Sequence, residues 1–304
     1  MRIATFNLQN MRLRGDHLDG ARDGDVPEDR GPQAEALDPA DRALTAQVIS
    51  EADADVVAVQ EVFDQATLDH FNAHDLAPIG ADYPFRACLP GNDGRGLDVG
   101  VMSRIEPSRV TSHAQLTPAD LGMHFDGLAD ELPIFRRDVL LAEIGPLTLF
   151  ICHFKAPYPD TELVRAIRRA EARALRALVE RAFPDPERGL WMILGDLNEP
   201  ARNENHEAAI APLRGGFAID LLDRIPREDR WSWHNPFEHL YGHPDAMLAS
   251  PELARRWPDA VPRIIRSGMG LETRRNEGPH LPSVGYHRPH ASDHAAVVVE
   301  LEGI

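Results

Sequence analysis

The most constraining stretch of this sequence is an apolar run, Leu190 to Leu194, that leads directly into a carboxylate and a carboxamide. A run of this length, bounded by Gly195 and Pro200, is typical of a buried strand. Because side chains alternate across a strand, Asp196 and Asn198 are expected to point the same way beyond its end. Sites of α/β sheets usually lie at such strand ends. Asx residues are also common in turns, so the other strands must decide whether this pair is functional.

Other apolar segments share this feature, because each begins or ends in a polar residue that can bind metal or transfer a proton. These residues are Asn7, Glu61, His153, Asp245, and Asp293 with His294. Loops at one edge of a sheet converge, so we expect the set to form one site. Oxygen donors and imidazole, with no cysteine among them, favour Mg²⁺ or Mn²⁺ over a structural zinc site.

Length and composition indicate one soluble domain. The 304 residues show no fixed repeat and no linker, so we expect a single domain over 1–304. No segment approaches the ~18 apolar residues of a membrane span, and the N-terminus lacks the apolar run of a signal peptide. Cys88 and Cys152 are the only cysteines, which makes a disulfide framework unlikely and a cytoplasmic location the expectation. We expect a monomer without an obligate protein partner.

Charge restricts the choice of partner. The net charge of −17 argues against a broad basic surface for duplex DNA. Among the 32 basic residues, only Lys155 is a lysine. The arginine excess is typical of a G+C-rich genome, and the one exception lies beside His153. This position favours a functional role for the Lys155 ammonium.

Local patterns predict the helices and the main turn. Asp38 is predicted to cap a helix with Pro39 in its first turn, and Gly145-Pro146 is predicted to join two strands in a hairpin. Residues 11–36 lack apolar periodicity and are predicted to be a long loop, either a lid or an insertion. A long helix follows the apolar stripe from Leu163 to Ala182. Its other faces are predicted to be solvated, with charged residues Arg165, Arg168, Arg169, Arg173, Arg176, Arg181, Glu162, Glu171 and Glu180.

Six short motifs occur in order along the chain: Thr5-Phe6-Asn7, Gln60-Glu61-Val62, Asp98-Val99-Gly100-Val101-Met102-Ser103-Arg104, His153-Phe154-Lys155, Gly195-Asp196-Leu197-Asn198 and Ser292-Asp293-His294. Their order and spacing resemble the endonuclease/exonuclease/phosphatase superfamily, which contains DNase I, AP endonucleases, inositol polyphosphate phosphatases and neutral sphingomyelinases. The resemblance extends from residue 3 to residue 301. It implies an α/β four-layer sandwich, with two mainly antiparallel sheets packed face to face and flanked by helices.

The resemblance also implies a binding site for a divalent metal ion. Glu61 matches the principal ligand of a divalent cation, and its hard oxygens suit Mg²⁺, with Mn²⁺ as a second possibility. Asn7 and Asp293 would complete the metal shell, directly or through water.

The remaining site residues match roles at the phosphate. His294 matches the histidine at the scissile phosphate and would be oriented by Asp245. Asp196 is an alternative to His294 as the base that activates water. Asn198 would donate a hydrogen bond to the transition-state oxyanion, and His153 would assist the leaving oxygen.

The resemblance also implies which side chains bind the phosphate of the substrate. Arg137 aligns with a phosphate-binding arginine of the family, and the adjacent Arg136 is the alternative register. Lys155 is expected to bind phosphate together with Arg137 and Asn198.

Two departures from the AP endonuclease pattern disfavour abasic-site repair. Val62-Phe63 stands where that branch has Thr-Lys, and His153 stands where it has Tyr. Trp231 and Trp233 permit two interpretations, a lipid-inserting hairpin like that of sphingomyelinases or local packing.

The sequence therefore predicts a metal-dependent phosphoesterase that hydrolyses a phosphodiester or phosphomonoester by in-line attack of water. A nuclease and a small-molecule phosphatase both remain open. The alternative from another class is a catalytically inactive scaffold, which would have lost one or more site residues, and none is lost here.

Overall fold

The structure is a computed structural model that describes residues 1–23, 26–200 and 208–304. Its strands are β1 (Arg2–Met11), β2 (Leu13–Arg14), β3 (His17–Leu18), β4 (Val56–Val62), β5 (Phe85–Cys88), β6 (Asp98–Ser103), β7 (Arg109–Ser112), β8 (Val139–Ile144), β9 (Leu147–His153), β10 (Trp191–Asp196), β11 (Ile219–Asp220), β12 (Trp233–Asn235), β13 (Leu240–Gly242), β14 (Asp245–Ala249), β15 (Arg263–Ile265) and β16 (Ala296–Glu300). Its α-helices are α1 (Pro32–Glu35), α2 (Asp38–Ala52), α3 (Gln65–Phe71), α4 (Pro118–Leu121), α5 (Glu162–Ala182) and α6 (Pro251–Arg256).

Two large sheets of six strands each form the centre of the fold. The first has the order β15-β16-β1-β4-β6-β5, and the second has the order β11-β14-β10-β9-β8-β7. Each sheet contains one parallel pair, β1 with β4 and β9 with β10, and its other pairs are antiparallel. The two sheets therefore have the mainly antiparallel character that the sequence predicts.

Three apolar clusters show that the sheets and helices are stacked in layers. One cluster joins inward side chains of both sheets, including Ile3, Val101, Leu140, Leu194 and Val299. A second packs α2 on the outer face of the first sheet through Leu44, Val48 and Ile49. A third packs α5 on the outer face of the second sheet through Leu175 and Val179. The order helix, sheet, sheet, helix confirms the predicted four-layer sandwich.

The start of α2 differs from its prediction. Asp38 is the first helical residue rather than the cap, and the N-cap position falls on Leu37, which makes no side-chain cap. The Asp38 carboxylate is buried and accepts hydrogen bonds from Arg22 and from Arg288, at 2.5 and 2.9 Å. Because Asp38 already lies within the first helical turn, its carboxylate pairs with these guanidinium groups and does not cap the helix.

The predicted solvated face of α5 is wrong at two residues. Arg168 and Glu171 are buried, with 1% and 0% of their surface exposed. The Glu171 carboxylate accepts the backbone N–H groups of Arg136 and Lys155, at 2.9 and 2.8 Å. This helix therefore uses one charged residue to fix the chain beside β8 and β9, whereas Arg176 and Glu180 form the expected surface ion pair.

The predicted turn is confirmed, and the predicted long loop is only partly correct. Ile144 pairs with Leu147 across Gly145-Pro146, which closes the β8–β9 hairpin. Within 11–36, β2 and β3 pair as a short hairpin, and α1 follows. No α-helix in the described ranges is long and apolar enough to cross a membrane.

Gly195 allows β9 and β10 to approach closely. Its φ is +134°, and a Cβ at this position would lie 1.9 Å from the Cys152 carbonyl oxygen. We predict that Gly195→Ala lowers the free energy of unfolding by more than ~3 kcal/mol, because neither strand can move without disturbing the core. Chemical denaturation measures the change. Gly94→Ala is the control, because no atom lies within 4 Å of the added Cβ. Equal stability of both variants would contradict the strain at Gly195.

Candidate active site

The two parallel strand pairs bring four of the predicted residues to one place. Asn7 and Glu61 lie where the regular pairing of β1 with β4 ends, and His153 and Asp196 are the last residues of β9 and β10. Asn7 Nδ2 connects the two sheets by donating hydrogen bonds to Glu61 Oε1 at 3.3 Å and to Asp196 Oδ2 at 3.2 Å. The site therefore lies where the carboxyl ends of both parallel pairs meet.

Antiparallel neighbours begin at the same edge and supply the remaining acid and imidazole groups. Asp245, the first residue of β14, is in register with Asp196. Asp293 and His294 lie two to three residues before the start of β16, which pairs with β1. Because an antiparallel strand starts where its neighbour ends, these residues join the cluster from the opposite chain direction.

Glu61 is held in an unusual backbone conformation. Its φ is +62°, and the register of β4 against β6 shifts between Gln60 and Val62. The Glu61 carboxylate also accepts the backbone N–H of Asn10 at 2.9 Å. A left-handed residue of this type costs about 1–3 kcal/mol, which the surrounding structure must offset. The bulge turns a side chain of the strand toward the site edge.

Asp196 is the centre of the cluster. Its Oδ2 lies 3.4 Å from His153 Nε2 and 3.9 Å from His294 Nε2, and its Oδ1 accepts the backbone N–H of Asn198 at 2.8 Å. Burial raises the pKa of Asp196, the carboxylates of Asp245 and Glu61 raise it further, and His294 opposes them. Asp196 is thus a buried acid in contact with both imidazoles.

His294 and Asp245 form an oriented pair. His294 Nδ1 lies 2.9 Å from Asp245 Oδ2, and the same oxygen accepts the Ser232 hydroxyl at 2.6 Å. Burial alone would lower the pKa of His294, but Asp245, Asp293 and Asp196 outweigh burial and raise the pKa well above its usual value. The pair directs His294 Nε2 toward Asp196.

His153 differs from His294 in its charge environment. It is 2% exposed, and burial together with Arg137 and the charge of His294 lowers its pKa well below the usual value. Its Nε2 lies 3.9 Å from Glu61 Oε1, and its Nδ1 has no hydrogen-bond partner among the described residues. His153 is therefore held as a neutral imidazole beside the two acids.

The carbonyl oxygen of Phe154 brings two donors together. It accepts Arg137 Nη1 at 2.8 Å and Asn198 Nδ2 at 3.0 Å. Arg137 is 3% exposed and its Nε lies 3.0 Å from Asp93 Oδ2, whereas the neighbouring Arg136 is exposed. Arg137 supplies the positive charge of this pair of donors, and the backbone N–H of Asn198 links the pair to Asp196.

Lys155 does not join these donors. Its ammonium donates to the carbonyl oxygens of Ala156 and Tyr158, at 3.0 and 2.9 Å. The structure therefore gives this side chain a local backbone role and provides no support for phosphate binding by Lys155.

The carboxylate oxygens of Glu61 and Asp293 fit a hydrated divalent cation as metal ligands. Glu61 and Asp293 have no ion pair with arginine or lysine in the described ranges, and Glu61 contributes to the raised pKa of Asp293 after burial. Across those ranges, no three His, Cys, Asp or Glu side chains form a metal cage. Mg²⁺ usually binds through one or two carboxylates and retains water, so it does not require such a cage. The Asn7 oxygen accepts Gln9 N–H at 3.0 Å and therefore points away from the carboxylates.

Sequence reasoning missed several residues that hold the site in place. Trp233 Nε1 donates to Asp293 Oδ2 at 3.2 Å, and Gln9 Oε1 accepts the backbone N–H of Asp293 at 2.9 Å. Ser232 positions Asp245, as described above. Trp231 is buried and packs against Tyr241, which supports local packing over lipid insertion for this residue. The Trp-Ser-Trp-His sequence was the only available signal for this supporting segment.

The layered fold and the acidic, histidine-containing edge define a hydrolase of phosphate esters with a DNase I-like architecture. The chain belongs to the Endonuclease/Exonuclease/phosphatase family, whose model matches residues 4–294. Members of this family act on phosphoester bonds, and this protein is accordingly a hydrolase of that type. No curated protein matches the chain.

Solved structures show the same fold at low sequence identity. Truncated TDP2 from Caenorhabditis elegans is 14% identical, with a TM-score of 0.56 over 98% of this chain and 96% of that chain. An AP endonuclease from Archaeoglobus fulgidus is 18% identical, with a TM-score of 0.57 over 99% of each chain. An endonuclease/exonuclease/phosphatase family protein from Leptotrichia buccalis is 16% identical, with a TM-score of 0.57 over 99% of each chain. At these identities the similarity establishes the fold.

The raised pKa of Asp98, the first residue of β6, can be tested through the pH dependence of stability. Burial raises its pKa to about 6, Gly91 N–H opposes the change, and Asp138 and Asp93 add to it. A carboxyl with a raised folded-state pKa loses stability as pH rises from its unfolded pKa through its folded pKa. We predict that Asp98→Asn gains stability relative to the wild type across this window, by about 1 kcal/mol between pH 5 and pH 7.5.

Urea unfolding at the two pH values measures this gain. Asp16→Asn is the control, because the Asp16 side chain is fully exposed. A gain at Asp98 that is equal at both pH values would show that the carboxyl does not titrate differently in the folded chain.

Proposed function

We propose that the protein is a metal-dependent phosphoesterase that hydrolyses its substrate by in-line attack of water. The observation that supports this most strongly is the joint placement of Glu61, Asp196 and His294 at one edge of both sheets, where Asn198 also links Asp196 to the donors on Phe154. Acids, imidazoles and phosphate-binding donors at one edge are the groups that such a reaction needs. We also propose that residues 1–304 act as one domain, because both sheets contribute to the site.

Glu61 and Asp293 would hold the cation, which we propose to be Mg²⁺ or Mn²⁺, and Asn7 would contribute through water or with its amide reversed. The cation would polarise the phosphate and neutralise charge on the leaving oxygen. Within this arrangement Asn7 keeps Glu61 close to Asp196, since its amide nitrogen donates to both carboxylates.

The chain supplies the proton transfers and the charge stabilisation. His294, oriented by Asp245, and Asp196 are the two candidates for the base that accepts a proton from water. Arg137 and the second N–H of the Asn198 amide would stabilise the charge that develops on the phosphoryl oxygens. His153 would assist the leaving oxygen from its position between Asp196 and Glu61.

A substrate panel tests the reaction class. We expect purified protein with Mg²⁺ or Mn²⁺ to hydrolyse at least one of bis-p-nitrophenyl phosphate, plasmid DNA, RNA, and sugar or inositol phosphates. His294→Ala and Asp196→Asn should each lower kcat by more than ~100-fold, because each removes a group that acts on the proton or the phosphate. Steady-state kinetics on the best substrate measures both losses.

The controls for these variants are His124→Ala and Asp126→Asn, which change the same residue types at exposed positions. They should retain wild-type kcat. Activity of His294→Ala or Asp196→Asn at the control level would remove that residue from the mechanism. If the wild type is inactive on the whole panel and binds no metal, the inactive-scaffold alternative is supported.

Metal removal tests the role of Glu61. We expect EDTA to abolish activity and added Mg²⁺ or Mn²⁺ to restore it. Glu61→Gln should raise the Mg²⁺ concentration for half-maximal activity by more than ~10-fold, because it removes a charged oxygen ligand. Calorimetric titration of Mg²⁺ should show the same weakening without substrate. Glu162→Gln is the control on an exposed helix position, and unchanged Mg²⁺ binding by Glu61→Gln would place the cation elsewhere.

A further inference from the structure

A surface hollow lies next to the small cavity that Asp293 lines. A cavity of about 70 Å³ is lined by Asp293, Gln9 and Trp233, among other residues. It shares a wall with an open hollow of about 360 Å³. The residues common to both are His234, Pro236, Phe237, Glu272 and His287. Asp293, one of the proposed metal ligands, therefore lines a cavity that adjoins a larger space on the protein surface.

A buried imidazole without a partner lines both spaces. His234 is 3% exposed, and its Nε2 has no hydrogen-bond partner among the described residues. Its ring packs on Tyr241, with the ring centroids 4.5 Å apart, and its backbone N–H donates to the Asp293 carbonyl. An imidazole nitrogen in this unpartnered state can form one hydrogen bond. A buried polar atom of this kind usually has a partner, and the adjoining cavity is where one can enter.

Two aromatic rings at the hollow are exposed to solvent. Phe237 and Tyr286 each have 66% of their surface exposed, and both line the 360 Å³ space. Phe237 lies in the turn between β12 and β13, and Tyr286 lies in the segment that leads to Asp293. Exposed rings are available for stacking on a planar group, which in nucleic-acid-binding proteins contributes about 1–3 kcal/mol per base.

Size and charge restrict what the hollow can hold. A volume of about 360 Å³ lies at the small end of the ~300–1,000 Å³ range of ligand pockets, so it suits one ring system rather than a polymer. Its charged lining is mixed, with Glu28 and Glu272 opposing Arg274 and His287. Such a lining does not favour a group that carries several phosphates. A largely uncharged planar ring with hydrogen-bonding atoms fits the space better.

We propose that this hollow, defined by His234, Phe237 and Tyr286, binds the nucleoside attached to the scissile phosphate. The proposal rests on the proposed function and names its substrate class as a nucleotide ester. Phe237 and Tyr286 stack on the base or sugar, and His234 Nε2 bonds to a polar atom of the nucleoside. A membrane surface is the other possible target of exposed aromatic rings, and the net charge of −17 disfavours anionic lipid.

Two substrates with the same leaving group test the proposal. Thymidine 5′-p-nitrophenyl phosphate and methyl p-nitrophenyl phosphate both release p-nitrophenol, and only the first carries a nucleoside. We expect Phe237→Ala and Tyr286→Ala each to lower kcat/KM for the thymidine ester by about 10-fold, mainly through KM. The methyl ester should be hydrolysed at the wild-type rate, because the proton-transfer and metal groups are untouched. His234→Gln should show the same selectivity.

Leu132→Ala is the matched control, because Leu132 is an exposed apolar side chain, 55% exposed, outside the hollow. It should leave both substrates unaffected. Equal losses on both esters in the Phe237 and Tyr286 variants, or no loss on either, would overturn the proposal. A free mononucleotide and the end of a nucleic acid strand share this chemistry, so a trinucleotide ester compared with the thymidine ester distinguishes these sources.

Binding without turnover separates this proposal from the proposed function. Calorimetry with thymidine 5′-monophosphate and with inorganic phosphate should show tighter binding of the nucleotide, and Phe237→Ala should remove that difference. This result would support the hollow even if neither ester were hydrolysed. If the thymidine ester is hydrolysed but the nucleotide binds no better than phosphate, the phosphoesterase function stands and the nucleoside site fails. Binding of neutral phosphatidylcholine vesicles that depends on Phe237 and Tyr286 would assign the rings to a membrane instead.

Discussion

The site depends on one constraint, which is that each sheet contains a single parallel strand pair and both pairs end at the same edge. Parallel neighbours end side by side, so two chemical groups come together from each sheet without help from a loop. The Asn7 amide then links the sheets, since it bonds to Glu61 from its own sheet and to Asp196 from the other. A slip of one residue in β10 would turn Asp196 to the opposite face. The close fit of Gly195 against Cys152 opposes such a slip.

The polar groups at this edge fall into an acidic set and a set of hydrogen-bond donors. The acids lie on the side of Glu61 and Asp293, and the donors Arg137 and Asn198 meet on the Phe154 oxygen. Neighbouring acids raise the pKa of Asp196 and so add to the effect of burial. They also raise the pKa of His294, where they oppose the effect of burial. A phosphate ester between the two sets would meet donors on one side and the proposed cation ligands on the other, which is why the edge suits phosphoryl chemistry better than acyl transfer.

Much of this arrangement was accessible from the sequence, because polar residues at the ends of apolar runs are visible as a pattern. The convergence of Asp196 and His294 at one edge follows from that pattern, and the two-sheet fold follows from the family resemblance of the six motifs. The left-handed backbone of Glu61 was not predictable, because it depends on a bulge formed against β6. The burial of Glu171 was also missed, since helical periodicity does not reveal which backbone N–H groups will need an acceptor. Trp233 and Ser232 act only through tertiary contacts.

The β12–β13 hairpin has a consequence for how this protein can diversify. The groups proposed for chemistry lie at the ends of buried strands, whereas Phe237 lies in an exposed turn between two three-residue strands. A turn of this kind tolerates substitution and insertion far better than a core strand does. In the proposed function, reaction and selectivity are thus carried by separate parts of the chain. Exchanging the turn is a route to altered substrate preference on an unchanged catalytic scaffold, either in natural variation or in engineering.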